Sequence, residues 1–132
     1  MKAYVSGTVF AVLVGVVSLA HAAQLTSNPL PTNQWATNHS LEGVCHIRNV
    51  GTTPVTVTVS VFSNNATVPF FDNCQGDGEP RTLFGGQSCF VTHFMPDASF
   101  GACSVTADNV RNLRGRFEVQ QNFNTINSSD LR

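Results

Sequence analysis

Beyond residue 40, apolar and polar residues alternate with a period of two, and turn-forming residues interrupt the alternation about every ten positions. The clearest case is 55–62, where Val55, Val57, Val59 and Val61 alternate with Thr56, Thr58, Ser60 and Phe62. That pattern predicts a strand with one packed face and one wet face. In 44–50, Cys45 and Ile47 alternate with His46 and Arg48, and Gly51-Thr52-Thr53-Pro54 follows with turn chemistry, so the two segments predict a hairpin. Further strands are predicted over 87–94, 102–107 and 110–121, with shorter ones at 68–71 and 81–84. Pro29 and Pro31 lack backbone donors, which suits an extended lead-in or an edge strand. No segment after residue 23 carries a helical period of useful length. The pattern therefore predicts an all-β, antiparallel β-sandwich of about seven strands over 41–121, with a lead-in at 23–40 and a flexible C-terminal tail at 122–132.

The first 22 residues follow another logic. Met1-Lys2 leads into an apolar run over 9–19, and Ala20-His21-Ala22-Ala23 ends it with small residues at the spacing a signal peptidase requires. The run is too short to span a bilayer comfortably. It predicts a signal peptide cut after Ala22, with a cut after Ala23 as the alternative, and hence a periplasmic or secreted protein. No later apolar run suits a transmembrane helix, so no stable membrane insertion is expected after cleavage. Beyond the leader there is no lysine. Arg48, Arg81, Arg111, Arg114, Arg116 and Arg132 face eight carboxylates, a mildly acidic balance without a basic stripe. Nucleic acid and anionic lipid both call for clustered cations, so neither is expected as a partner.

Several short segments together carry a family resemblance. Cys45-His46-Ile47-Arg48-Asn49-Val50-Gly51, the Thr/Val strand, Leu83-Phe84-Gly85-Gly86-Gln87-Ser88, Ala102-Cys103-Ser104-Val105 and Asn109-Val110-Arg111 resemble the small exported immunoglobulin-like β-sandwich proteins of bacteria. The resemblance covers roughly 41–120 and implies an immunoglobulin-like fold, without assigning an activity. The chain differs from antibody-type domains in having Trp35 ahead of its first cysteine rather than between cysteines.

Four cysteines allow three pairings. Cys45 and Cys103 each fall on the apolar face of a predicted strand, as a bridge between sheets requires. Cys74 lies in a loop and Cys89 on the next strand. The expectation is Cys45 with Cys103 and Cys74 with Cys89, both structural, since no Cys-x-x-Cys is present and an exported chain meets oxidising conditions.

Two candidate metal sites compete with simpler roles. His46, His93 and Met95 supply imidazole and thioether ligands of the kind Cu(I) favours, yet neither His46 nor His39 has a reason to converge on Met95, so all are expected as ordinary surface residues. The loop 72–79 concentrates oxygen donors from Asp72, Asn73, Asp77 and Glu79, but the terminal glutamate position of a twelve-residue calcium loop falls on Phe84. A solvated loop tied by a disulfide explains the same composition, and no cofactor is expected.

Catalytic patterns are weaker still. Ser88 lies two residues after Gly86, but Phe90 stands where a nucleophile elbow needs glycine. Arg111, Arg114, Arg116 and Glu118 read as a solvated strand face with weak ion pairs. Phe62, Phe70, Phe71, Phe84, Phe94 and Phe100 either complete the core and pack beneath loops, the expected role, or form an apolar patch for a partner. The chain is thus expected to be a non-catalytic structural or binding module with a protein or glycan partner.

Overall fold

The computed structural model describes residues 22–32, 41–64, 68–76, 79–95 and 100–132. Residues 1–21 of the leader, His39, Trp35, Asp77 and the loop segments between those ranges lie outside the described residues. Within them every regular element is a strand: β1 (Ala23–Thr26), β2 (Leu30–Pro31), β3 (Leu41–Asn49), β4 (Val55–Ser63), β5 (Val68–Asp72), β6 (Gln75–Gly76), β7 (Glu79–Leu83), β8 (Ser88–Phe94), β9 (Phe100–Ala107), β10 (Leu113–Gln121) and β11 (Asn124–Asp130). One antiparallel sheet runs β1-β9-β4-β7-β6, with β2 also pairing β9, and the other runs β11-β10-β3-β8-β5. The two form a disulfide-stabilised β-sandwich.

Period-two burial explains the layering. On β4 the four valines are buried while Thr56, Thr58, Ser60 and Phe62 are not. On β3, Leu41, Cys45, Ile47 and Asn49 face the interior, as do Leu113, Phe117 and Val119 on β10. Cys45 and Cys103 join the centres of the two sheets, and Cys74 joins Cys89 beside them. Two disulfides accord with an oxidising compartment.

Three sequence expectations are corrected. The described residues form eleven strand segments rather than about seven, because the lead-in contributes β1 and β2, the loop after Cys74 contributes the two-residue β6, and the tail contributes β11. The tail forms a strand rather than a free end: β11 pairs with β10 from Arg116↔Asp130 to Gln121↔Asn124, and Leu131 is buried. Its Asn-, Ser- and Thr-rich sequence lacks alternation, so backbone pairing rather than an apolar face defines it. The chain end then crosses to the other sheet, where Thr26 and Arg132 exchange two backbone hydrogen bonds of 3.0 Å. The chain end is thereby tied to the last residue of β1, while β1 and β11 stay the edge strands of their sheets.

The third correction concerns β3 and β4, which form no hairpin. They belong to different sheets, and residues 50–54 carry the chain from one to the other. Asn49, fully buried at the end of β3, organises the crossing. Its amide nitrogen donates to the carbonyls of Thr53 (2.8 Å) and Leu83 (2.9 Å), and its side-chain oxygen accepts from the Gly51 N–H (2.9 Å). A buried side chain that satisfies three backbone groups is costly to remove, because those groups lose partners without regaining water. Asn49→Ala is expected to cost about 2–3 kcal/mol, measurable by denaturant unfolding, whereas Asn109→Ala in an exposed turn is expected to change stability by less than about 0.5 kcal/mol.

Candidate binding face

The outward side of the five-stranded sheet carries the side chains that the inner core leaves over, and the strand registers fix them as a grid. At one end Ser88, Arg48 and Arg114 stand in a row across β8, β3 and β10. Phe90, His46, Arg116 and Asp130 form the next row, and Phe71, Thr92, Val44, Glu118 and Ser128 the one after it. Phe94, Glu42 and Gln120 form the last. The β5–β8 side of the face is aromatic, and the β10–β11 side is polar and charged.

The aromatic side is concave and open. Phe71 stacks on Phe90 with ring centres 5.0 Å apart, Phe90 lies 5.7 Å from His46, and Phe70 packs on Phe94 at 4.6 Å. Val44, Phe71, Phe90 and Phe123 line a cavity of about 330 Å³ together with Glu42 and His46. Phe70 and Phe71 are 58% and 47% exposed, so the expectation that these phenylalanines pack beneath loops is corrected for them. Phe62, Phe84 and Phe100 are also exposed.

Phe123 is the most unusual member. Asn122 and Phe123 form the two-residue turn between β10 and β11, with φ of 51° and 64°. Two positive φ angles in succession make a type I′ hairpin turn, in which the second position favours glycine. A phenylalanine there costs on the order of 1 kcal/mol of backbone strain. It is nonetheless 81% exposed, so no core packing offsets that strain.

The charged side is a network of modest ion pairs. Glu118 lies 3.7 Å from Arg116 and 4.0 Å from His46, and it accepts hydrogen bonds of 2.9 Å from Gln120 and Thr125. Burial alone would raise its carboxyl pKa, but the hydrogen bonds from Gln120 and Thr125, with His46 and Arg116 nearby, outweigh burial and lower it. Arg116 also donates to Ser128 (2.9 Å), and Arg114 donates to the carbonyls of Arg111 and Leu113. Next to them a second cavity, of about 350 Å³, is lined by His46, Arg48, Ser88, Arg114, Arg116 and Asp130.

The other sequence candidates do not converge. His46 faces outward, whereas His93, opposite Gly43, lies on the inward parity of the same sheet. Met95 is fully buried, so its expected place on the surface is corrected. A β-carbon built on Gly43 or Gly101 would stand 2.9 or 2.6 Å from the Met95 sulfur and 3.1 Å from the Phe117 ring. The two glycines therefore make the space that Met95 and Phe117 fill. In the acidic loop the Asp72 carboxylate accepts from the Cys74 N–H at 2.7 Å, and the Asn73 side chain accepts from the Phe90 N–H at 2.7 Å. Among the described residues no three His, Cys, Asp or Glu side chains are grouped as metal ligands. Ser88 sits across from Arg48.

Burial lowers the pKa of His93 below its ordinary value of 6.5, against the raising influence of Asp72. Because the unfolded chain binds protons that the folded chain refuses, His93 contributes stability above pH 6.5 that is lost as pH falls toward its folded value. Glu118 acts with the same sign, in a lower window that opens below its ordinary value of 4.5. Stability is expected to fall in two stages on acidification. Denaturant midpoints across pH should lose the first stage in His93→Gln and the second in Glu118→Gln.

Fold and face together define a two-disulfide antiparallel β-sandwich that presents one aromatic and charged sheet face to its surroundings. No family model, curated protein or solved structure matches the chain.

Proposed function

We propose that this chain is an exported, non-catalytic binding module that works in the periplasm or secreted space and docks a protein partner on the outer face of its five-stranded sheet. The leader sequence and the two disulfides support export. Phe123 carries the binding reading: a bulky aromatic is held in a strained turn and presented to solvent beside Phe70, Phe71 and Phe90. Strain without a packing return favours a role outside the fold. Phenylalanine and arginine are also the residue types that protein interfaces enrich, whereas the flat tyrosine and tryptophan platforms of glycan sites have no counterpart among the described residues of this face.

The two roles of Phe123 separate experimentally. Phe123→Gly is expected to raise stability by about 1 kcal/mol, because glycine adopts the turn without strain. The same change is expected to weaken partner binding at least about tenfold, since an exposed aromatic anchor is lost. Thermal unfolding and surface-based binding to exported proteins of the source cell measure the two effects. Unaltered binding in Phe123→Gly and in Phe71→Ser, or saturable turnover of a substrate by the wild type, would overturn the proposal.

A further inference from the structure

We infer that the partner is a second copy of this chain, and that two outer faces meet in a symmetric dimer whose two-fold axis crosses the strands at the row Val91–Cys45–Phe117. The inference rests on the reading of that face as a binding surface and adds its occupant.

The face is opposite in charge on the two sides of that row. Arg48 and Glu42 lie three residues to either side of Cys45 on β3, and both side chains point outward. Arg116 and Glu118 flank Phe117 on β10 in the same sense. A two-fold axis lying in the sheet plane, perpendicular to the strands, reverses the strand direction and preserves the order across the sheet. It sets Arg48 of one copy over Glu42 of the other, and Arg116 over Glu118, twice in each dimer. It also lays the aromatic β5–β8 side on its counterpart and carries Phe123, at the glutamate end, toward the arginine end of the opposite copy. A guanidinium against an exposed aromatic ring is favourable.

The competing arrangement fails on charge. An axis parallel to the strands would bring the Ser88–Arg48–Arg114 row onto itself, cation against cation, with β5 over β11. Within a single copy Arg48 and Arg114 are already direct cross-strand neighbours in a row without an acid, and like charges so placed are unfavourable. The first arrangement supplies a carboxylate to that row and the second does not.

The size is sufficient. The five strands hold 7, 9, 9, 7 and 5 residues from β11 to β5, which at about 4.8 Å between strands and about 3.3 Å per residue give a face of roughly 590 Å². Two such faces come to roughly 1,200 Å², the lower end of the range for specific interfaces. Each patch meets its own image, as an isologous contact requires.

Charge reversal with complementation tests the geometry. Protein recovered with both disulfides formed from a secretion-competent bacterium is expected to sediment as a dimer at tens of micromolar. Arg48→Glu and Glu42→Arg are each expected to weaken dimerisation by about tenfold or more. An equimolar mixture of the two variants restores it as a heterodimer, and so does the double variant on one chain. A wild type that stays monomeric, or a mixture no tighter than the single variants alone, would overturn the inference. If that occurs while Phe123→Gly still abolishes binding to another exported protein, the face is a binding surface for a different occupant. If Phe123→Gly changes no binding at all, the underlying reading falls as well.

Discussion

A variant in which Cys45 and Cys103 are both replaced by alanine is expected to lose roughly 4 kcal/mol of stability, in the chain-entropy account of a 58-residue loop. The 15-residue closure of Cys74 with Cys89 is expected to contribute about 3 kcal/mol by the same account. The larger loss bears on a domain whose whole stability should lie near 5–15 kcal/mol. Position adds to loop length. Cys45 lies on the central strand of one sheet and Cys103 lies between β4 and β1 in the other, both fully buried, so their removal also opens space in the middle of the core. Cys74 and Cys89 tie a loop to β8, and their loss leaves the contact between sheets in place. Guanidinium unfolding followed by circular dichroism should show a folded Cys74→Ala/Cys89→Ala variant and a weakly folded Cys45→Ala/Cys103→Ala variant. Equal losses in the two would contradict the assignment of the central bridge.

Phe117→Ala is expected to cost about 4 kcal/mol and Met95→Ala about 3 kcal/mol, the range for emptying buried space that neighbours cannot refill. Both side chains are fully buried and both crowd the backbones of Gly43 and Gly101. The glycines have no side chain with which to move into the void. Because the two residues share that space, the double variant should cost less than the sum of the single ones. A Met95→Ala change within 0.5 kcal/mol of wild type by thermal or urea unfolding would instead return Met95 to the surface role expected from sequence. Met95→Leu, which conserves volume, should lose less than about 1.5 kcal/mol.

How much of this was legible in the sequence depended on whether burial or pairing shaped each segment. The valines of β4 and the cysteines of β3 and β9 betray their faces because alternation is the direct imprint of a half-buried strand. β11 leaves no such imprint, since Asn, Thr and Ser form a strand only where β10 offers a ladder. Gly51-Thr52-Thr53-Pro54 carries the signature of a tight turn, yet turn chemistry says nothing about which sheet the next strand joins. That choice is made by Asn49, whose side chain satisfies backbone groups distant in sequence. Met95, a methionine two residues from His93, reads as a surface residue in one dimension and as core in three. The candidate face was the least legible feature. Phe71, Phe90 and His46 become neighbours only through the order β10-β3-β8-β5, and the strain at Phe123 exists only in backbone angles.

The paired backbones of Thr26 and Arg132 join segments separated by almost the whole of the described chain. Contacts of that kind require loops of maximal length to close, so they form late in folding. Until they do, the chain end is undocked and the neighbouring edges of β1 and β11 are at their most open to other strands. Cys45 and Cys103 sit on strands closer in sequence and can be oxidised before the chain end docks, holding the two sheets together while the last strand finds its place. An order of events follows in which the thiol chemistry of the compartment governs the time during which these edges are most open to aggregation. Pulsed hydrogen exchange during refolding should find the amides of β3 and β10 protected before those of Thr26 and Arg132, and reduction should lengthen the interval between them.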